Sequence, residues 1–395
     1  MKKWLTPNIW KLSIVSLFTD ISSEMLYPIL PLYMQKIGLN GTTIGLIEGI
    51  GESIAAWGKG YFGKLSDDKG TRKSFIVIGY GLSAISKLLL AFSIFPFVIY
   101  LARFSDKLGK GIRSSPRDGI LANESDKEHL GKVFGFHRSM DTVGAAIGPF
   151  LTLGLLYYLQ FEYIQIFYIA FIPGMLGWII TTLITETKTE PKLKPKSGYF
   201  SFLMYFKNAS NEYKKIIFPI LIFALFNSSD FFLILCLKTN GFDDIFIIIA
   251  YIIYNLSFAL FSYPAGYLAD KFGFKLMLGL GFGIFILVYS LIGNVHSQLS
   301  AILIFILYGI YAAFTDGNAK AWLTKNANKE DKNTAIGFFN AIQSITIVLA
   351  SLWTGIIVDI FNYQTAFYIS AIGAGVSIVL FLFLKFNHEY SHTSI

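Results

Sequence analysis

The sequence predicts an all-α membrane protein with twelve transmembrane helices, arranged as two pseudo-symmetric bundles of six. Three observations favour this fold class. Hydrophobic residues make up 54% of the 395 residues and charged residues only 15%, a composition that soluble domains rarely have. Many apolar stretches are long enough to cross a bilayer. A pattern found in the first half of the chain also returns in the second half.

The internal repeat is carried by two similar motifs about half a chain apart. Residues 63–73 read GKLSDDKGTRK, and residues 266–275 read GYLADKFGFK. Two shorter pairs keep nearly the same offset: Gly-Phe at positions 135 and 337, and Phe-Tyr-Ile at positions 167 and 367. A constant offset indicates a duplicated module, and such internal symmetry is typical of secondary transporters.

The apolar stretches define the predicted helices and domains. The first bundle is expected to contain spans at residues 9–33, 42–63, 74–95, 97–115, 133–159 and 163–184. The second is expected to contain spans at residues 216–237, 245–268, 274–292, 299–319, 334–360 and 365–384. We therefore predict domains at residues 1–185 and 216–395, joined by a polar cytoplasmic linker at residues 186–215.

The distribution of basic residues predicts the orientation. The predicted outward loops carry only Lys36 and Lys238, whereas the inward loops and the linker are rich in lysine and arginine. The positive-inside rule then puts both termini on the cytoplasmic side of the membrane. We expect this membrane to be a bacterial inner (plasma) membrane. The net charge of +8 follows from loops that face anionic lipid, so no nucleic acid is expected as a partner. The expected partners are the bilayer and a small-molecule substrate, with the protein as a monomer.

The two loop motifs resemble the signature loop of the major facilitator superfamily, and the resemblance extends over nearly the whole chain. It implies that residues 63–73 connect helices 2 and 3 and that the copy connects helices 8 and 9. Glycines let helix ends approach each other, and Asp67 can accept hydrogen bonds from a helix terminus or a basic side chain. For Arg72 and Lys73, plain anchoring at the cytoplasmic surface is the alternative. The predicted gating residues of this motif are Gly63, Asp67, Gly70, Arg72, Lys73, Gly266 and Asp270.

Helix 4 carries a second resemblance. Arg103 matches by position the helix 4 arginine that the family associates with proton transfer. The Gly-Lys-Gly-x-Arg-x-x-Pro-Arg-Asp run at residues 109–118 departs from the usual family pattern and resembles a bacterial subgroup. We expect this run at the cytoplasmic end of helix 4, where lysine side chains can reach the surface. Arg113 is assigned to the gating residues.

Helix 5 contains Gly144, Gly148 and Pro149, which resemble the Gly-x-x-x-Gly-Pro element of the antiporter branch of the family. Glycines four residues apart let two helices approach closely, and the proline kinks the chain. The resemblance implies a gating role and favours export over import. Ordinary close packing is the alternative interpretation.

Ionisable side chains at membrane depth are costly, so each one needs a partner or a water-filled cavity. Carboxylates on helices 1, 2 and 5, together with two arginines, suit a proton relay. Fixed salt bridges between helices are the alternative. The predicted proton-coupling residues are Asp20, Glu24, Glu52, Arg103, Arg138 and Asp141.

The second half has fewer charges at membrane depth. At an offset of 202 residues, Arg138 and Asp141 correspond to Asn340 and Gln343. The first half is therefore expected to handle the ion, and the second half to help hold the solute. Glu48 is expected to be exposed to water at the outer mouth. The predicted substrate-cavity residues are Glu48, Tyr27, Asn227, Asp230, Asn255, Asn340 and Gln343.

These features predict a proton-coupled secondary active transporter that works by alternating access. We favour an exporter of a small organic compound, a proton antiporter. The main alternative cargo is an iron–siderophore complex or a divalent metal ion. A channel would not need the half-chain repeat, and the sequence contains no nucleophile elbow, zinc-binding pattern or phosphate loop that an enzyme would use. No catalytic residue, metal site or cofactor is expected, and the proton gradient is the expected source of energy.

Overall fold

The computed structural model describes residues 5–93, 95–125, 129–186, 204–327 and 332–383, and this part of the chain is helical without β-strands. The helices of the first half are α1 Pro7–Leu26, α2 Leu30–Lys36, α3 Gly41–Lys69, α4 Lys73–Ala91, α5 Pro96–Asn123, α6 Leu130–Leu159 and α7 Tyr163–Thr182. Those of the second half are α8 Tyr205–Asn208, α9 Asn211–Phe226, α10 Phe231–Thr239, α11 Asp244–Phe272, α12 Phe274–Ile292, α13 Gln298–Lys325, α14 Lys332–Ile360 and α15 Tyr363–Phe383.

The predicted all-helical membrane fold is confirmed. Nine helical segments within the described residues are long and apolar enough to cross a membrane. The three remaining predicted spans correspond to α1 and α2 taken together, to α3, and to α5. These helices carry many of the charged side chains described below, which lowers their mean hydropathy.

The first span of each half is interrupted at an equivalent position, although the sequence predicts continuous helices there. In the first half α1 ends at Leu26 and α2 begins at Leu30. In the second half α9 ends at Phe226 and α10 begins at Phe231. Pro28, which lacks a backbone N–H group, lies in the first break. Irregular backbone at membrane depth is tolerated only where protein or a water-filled cavity satisfies it, so both breaks are candidate functional positions.

The described residues form two compact units. The first contains residues 5–39 and 50–186, and the second contains residues 40–49 and 204–383, so the start of α3 belongs to the second unit. In the first unit, α1 packs against α6 and α7, and α4 packs against α5 and α7. In the second, α9 packs against α14 and α15, and α12 packs against α13 and α15. The same helix pairs therefore recur in both units, as expected of a duplicated module.

The predicted linker falls mostly outside the described residues, which omit positions 187–203. Its described remainder contains α8 and the first turn of α9. Helix α3 continues to Lys69, six residues beyond the predicted span, and α5 continues to Asn123, eight residues beyond it. The added turns contain charged residues, so they lengthen the helices without lengthening the apolar stretches by which the spans were predicted.

Candidate functional site

Helix α5 carries three of the four lysine and arginine side chains that are buried in the described part of the first unit: Arg103, Lys107 and Arg113. Arg103, Lys107 and Lys110 follow one another at intervals of four and three residues, which puts them on one face of the helix. Gly109 and Gly111 lie beside this face. Because glycine has no side chain, neighbouring helices can approach α5 closely at these positions and bring their own polar groups to it.

Lys107 is paired with Glu52 of α3. The Nζ atom of Lys107 forms an ion pair with Oε1 of Glu52, and only 7% of the lysine side chain is exposed. The two helices touch at glycines, because a methyl group added at Gly58 would lie 2.9 Å from the Cα atom of Gly111. The close approach allows Glu52 to reach a lysine that is buried on α5.

A second ion-pair cluster joins α5 to α4. The Nζ atom of Lys87 lies 2.6 Å from Oδ1 of Asp106, and Nη1 of Arg103 lies 3.7 Å from Oδ2 of the same carboxylate. A methyl group added at Gly79 would lie 2.7 Å from the carbonyl oxygen of Gly109, so these helices also approach closely at glycines. One carboxylate shared by two cations is suited to fixing two helices together.

Arg113 also faces α4. Its Nη1 atom donates a hydrogen bond to Oγ of Ser83, and its guanidinium lies 4.5 Å from the ring centroid of Tyr80. Stacking a guanidinium on an aromatic face is favourable where water is excluded. The predicted gating residue Arg113 is thus part of the α4–α5 contact in this structure.

The predicted acidic residues of α1 lie beside the glycines of α6. A methyl group added at Gly144 would lie 3.0 Å from Cβ of Asp20, and one added at Gly148 would lie 2.8 Å from Cβ of Glu24. Helices α1 and α6 therefore approach each other closely at these glycines, and the gating role of Gly144, Gly148 and Pro149 stays a prediction. Helix α6 continues through Pro149 to Leu159.

Asp20 and Glu52 share one cationic neighbour. Both carboxylates are under the electrostatic influence of Lys110, whose own side chain is exposed. Within the described residues, Asp20 makes no ion pair within 4.0 Å, whereas Glu52 pairs with Lys107. The sequence analysis overlooked Lys107 and Lys110 as counter-charges, although their spacing from Arg103 could have indicated a shared helix face.

Asp141 connects α6 to α1. The Oγ atom of Ser16 donates a hydrogen bond to Oδ1 of Asp141. Arg138 approaches the same carboxylate to 3.7 Å, but 75% of its side chain is exposed. Arg103 lies next to Asp106. The two predicted arginine counter-charges are therefore separated, and the structure does not bring them to Asp20 together.

The loop after α3 ends that helix in a glycine-dependent turn. Gly70 has a φ angle of +63°, the left-handed region that glycine adopts at little cost. Its N–H group donates to the carbonyl of Asp67 at 3.2 Å, and the N–H group of Thr71 donates to the carbonyl of Ser66 at 3.3 Å. These two hydrogen bonds form a Schellman motif, which explains the glycine at this position.

The charged residues of the same loop bind neighbouring helix ends. Arg72 Nη2 lies 2.6 Å from Oδ1 of Asp67. The carboxylate of Glu186, after α7, accepts hydrogen bonds at 2.7 Å from the backbone N–H groups of Arg72 and Lys73. Lys73 Nζ donates to the carbonyl of Thr182 at 2.8 Å. Arg72 and Lys73 thus make specific contacts in addition to carrying charge, and Glu186 was not predicted from the sequence.

The second copy of the loop also turns at a glycine, but with a different backbone hydrogen bond, which the N–H group of Gly273 donates to the carbonyl of Ala269 at 2.9 Å. Helix α11 ends at Phe272, and the next residue, Gly273, has a φ angle of +93°. Asp270 is exposed and makes no ion pair within the part of the chain that the structure describes. Among the described residues, no neighbouring segment has an atom within 4 Å of a methyl group added at Gly266, whereas one at Gly63 would lie 2.8 Å from Cβ of Ser115.

The predicted substrate-cavity residues are only partly brought together. Asp230, at the break before α10, accepts a hydrogen bond at 2.6 Å from the hydroxyl of Tyr308 on α13, a partner that the sequence analysis missed. Asn227 lies in the same break and Asn255 lies on α11. Glu48 is only 3% exposed, so the expected exposure at an outer mouth is wrong. Tyr27 follows the last residue of α1 in the first unit, and Asn340 and Gln343 are half-buried on α14.

Comparison with known proteins decides the family. Residues 12–240 and 216–393 match the sequence profile of the Major Facilitator Superfamily. The chain belongs to this superfamily. One relative is the uncharacterized MFS-type transporter MJ1317 of Methanocaldococcus jannaschii. It is 36% identical to this chain over 96% of this chain and 95% of the relative.

Other superfamily members are more distant. A multi-drug resistance efflux pump PmrA homolog of Lactococcus lactis is 24% identical over 96% of this chain and 94% of the relative. The crystal structure of the nucleoside transporter NupG superposes with a TM-score of 0.78 at 18% identity, covering 95% of this chain and 98% of that one. At this identity the superposition establishes the fold. The superfamily assignment makes the protein a multi-pass membrane transporter.

Proposed function

We propose that the protein is a proton-coupled secondary active transporter that exports a small organic compound by alternating access. The observation that carries the proposal is the set of ionisable side chains within the spans of the first unit. Such groups are rare at membrane depth and mark ion or proton pathways. In this proposal the protein lies in a bacterial inner membrane with both termini in the cytoplasm, and the proton gradient supplies the energy.

The contacts suggest different tasks for the carboxylates. Asp106 is held by Lys87 and Arg103, which suits a structural pair. Glu52 is held by Lys107, while Asp20 makes no ion pair within the described residues. We assign the proton to Asp20, because neutralising its carboxylate changes the balance of charge around Lys110 without breaking a direct ion pair. Glu52 then senses that change through the same lysine.

Export of an organic compound is favoured by similarity to the PmrA homolog, whose name describes a multi-drug resistance efflux pump. The alternative is transport of an iron–siderophore complex or a divalent metal ion. The two hypotheses predict different substrates. A flux assay with organic compounds, siderophore-bound iron and a divalent metal ion therefore distinguishes them.

The test uses purified full-length protein in proteoliposomes with an imposed pH gradient. Accumulation is measured for ethidium, chloramphenicol, ferrichrome-bound iron and Ni²⁺. We expect gradient-driven accumulation of an organic compound that Asp20→Asn abolishes and Glu52→Gln reduces at least tenfold. Glu162→Gln is the matched control, since Glu162 forms an ion pair with Lys36 at the protein surface. Unchanged pH-driven flux in both variants would overturn the coupling assignment, and accumulation of only iron or nickel would overturn the cargo class.

A further inference from the structure

His137 lies on α6 with its imidazole ring buried in the first unit. The residue is only 3% exposed, and neither ring nitrogen makes a hydrogen bond among the described residues. Its Nε2 atom lies 3.8 Å from Oδ1 of Asp141, one helical turn further along α6. This distance is too long for a hydrogen bond, but a small movement of either side chain closes it. Buried polar atoms without partners are costly, which indicates that the ring gains a partner in another conformation.

Asp141 connects this ring to Asp20. The same Oδ1 atom of Asp141 accepts the hydrogen bond from Ser16 of α1. Ser16 and Asp20 are four residues apart on α1 and therefore share one face of that helix. Gly144, three residues after Asp141, is where a methyl group on α6 would lie 3.0 Å from Cβ of Asp20. Asp141 thus lies about one helical turn away from Asp20.

Three titratable side chains therefore follow one another along the α1–α6 contact. We call them the α6 series: Asp20, Asp141 and His137. Each step covers about one helical turn, about 5–6 Å along the axis. The series runs from Asp20 towards the first residues of α6, which begins at Leu130. In the proposed orientation α6 begins on the cytoplasmic side, so the series leads from the proposed proton-binding carboxylate towards the cytoplasm.

The charges around His137 are balanced when its ring is neutral. Arg138 and Asp141 act on the ring from α6 itself, and Arg117 and Asp118 act on it from α5. Arg117 and Asp118 also pair with each other at 2.9 Å. A neutral imidazole has one N–H donor and one acceptor nitrogen. It can therefore accept a proton at one nitrogen and release another from the second, with no net change of charge after the complete step.

We infer that His137 transfers protons between Asp141 and the cytoplasmic side of the protein. The inference rests on the proposed proton-coupled function and adds the route by which Asp20 loses its proton. Asp20 gives its proton to the carboxylate of Asp141, and Asp141 passes it to one ring nitrogen of His137. The other ring nitrogen releases a proton to water, and rotation of the ring restores the first tautomer. Both carboxylates and the neutral imidazole are then as they were before Asp20 took up the proton.

A histidine that only fills space between helices would behave differently from a relay residue. Its loss would slow every mode of transport together, because the packing of the first unit would be disturbed in all of them. A relay residue is required only where a net proton crosses the protein. Exchange of labelled for unlabelled cargo at equal pH moves no net proton, so exchange should not depend on a relay residue.

The test compares these two modes with the full-length protein in proteoliposomes. Ethidium and chloramphenicol are the probes, and ferrichrome-bound iron or Ni²⁺ replaces them if only it is accumulated. In the first mode a pH gradient drives accumulation, and in the second the labelled probe exchanges for internal unlabelled probe at equal pH. We expect His137→Gln to slow gradient-driven accumulation at least tenfold, since positioned proton-transfer groups commonly speed a step by more than this. Exchange should stay within about twofold of the unchanged protein.

Three further variants make the result interpretable. His296→Gln removes an exposed histidine between α12 and α13 and should leave both rates unchanged. Asp141→Asn should reproduce the pattern of His137→Gln. The double variant of Asp141→Asn and His137→Gln should be no slower than the slower single variant, because residues of one route act as a unit. Melting temperatures verify folding, and His137→Asn replaces His137→Gln if that variant is unfolded.

The outcomes separate the relay from the proposed function. Unchanged gradient-driven accumulation in His137→Gln, or equal slowing of accumulation and exchange in the folded variant, would overturn the relay alone. Losses that multiply in the double variant would also overturn it, because they would show two independent roles. Absence of gradient-driven accumulation of all four probes by the unchanged protein would overturn the proposed coupling, and the relay with it.

Discussion

The ammonium group of Lys107 is paired with the carboxylate of Glu52, which joins α5 to α3 inside the first unit. The lysine side chain is 7% exposed and the glutamate side chain 37% exposed. Removing one partner of such a pair leaves the other charge poorly solvated, a larger effect than loss of a surface ion pair. The pair therefore has consequences for stability that can be measured separately from transport.

Lys107→Met should destabilise the protein by about 1–3 kcal/mol, a value between those of surface and fully buried pairs. The measurement is thermal unfolding in detergent. Lys107→Met combined with Glu52→Gln should be more stable than Lys107→Met alone, because the double variant no longer carries an unpaired carboxylate. Strictly additive losses in the double variant would contradict a direct interaction between the two side chains.

The glycine contacts that bring these charges together give a second prediction. A methyl group at Gly58 would lie 2.9 Å from Cα of Gly111, and backbone atoms cannot move aside easily. Gly58→Ala should therefore separate α3 from α5 and lower the melting temperature. Gly154→Ala is the matched control, because no neighbouring segment in the described part of the chain has an atom within 4 Å of a methyl group there. A glycine in a helix interior costs about 0.5–1 kcal/mol relative to alanine, so the control should be neutral or slightly stabilising.

Glu186 gives a third prediction, which concerns the start of α4. Its carboxylate accepts hydrogen bonds from the N–H groups of Arg72 and Lys73, as a helix-capping side chain does. Glu186→Ala should destabilise this helix end by about 0.5–2 kcal/mol. Hydrogen–deuterium exchange should then be faster in the first turn of α4, while Glu186→Gln, which keeps an acceptor oxygen, should have a smaller effect. Unchanged exchange in Glu186→Ala would show that the cap contributes little.

The sequence predicted the helices and the repeat better than the contacts between charges. Long apolar runs and a constant offset are properties of the chain alone, so the fold class followed from them. The partner of Glu52 depends on which helix lies opposite it, and Lys107 is 55 residues away along the chain. Tyr308, which donates a hydrogen bond to Asp230, lies 78 residues further along the chain, and nothing in the linear sequence distinguishes it from the other aromatic residues of the second half.

The interruptions of the first and seventh spans were missed for a different reason. Pro28 in the first break was visible in the sequence, but transmembrane helices often tolerate proline. Asn227 and Asp230 were identified as polar residues of one continuous helix, although Asn227 directly follows α9 and Asp230 directly precedes α10. The polar residues Asn227 and Asp230 lie near the repeat position that corresponds to Pro28. This correspondence could have indicated that the first and seventh spans are both interrupted.

The last prediction concerns Asp359, which caps the beginning of α3 within the second unit. Its carboxylate accepts hydrogen bonds from the N–H groups of Gly41 at 2.7 Å and Thr42 at 2.8 Å, and from the Thr42 hydroxyl at 2.6 Å. The first N–H groups of a helix have no partners within the helix, and a carboxylate also interacts favourably with the helix dipole. Asp359→Ala should therefore speed hydrogen exchange at residues 41–45, with Asp359→Asn intermediate. Asp270→Ala, at an exposed carboxylate near the end of α11, is the matched control and should leave exchange there unchanged. Equal exchange in Asp359→Ala and Asp270→Ala would mean that the N–H groups of Gly41 and Thr42 find equivalent acceptors in water.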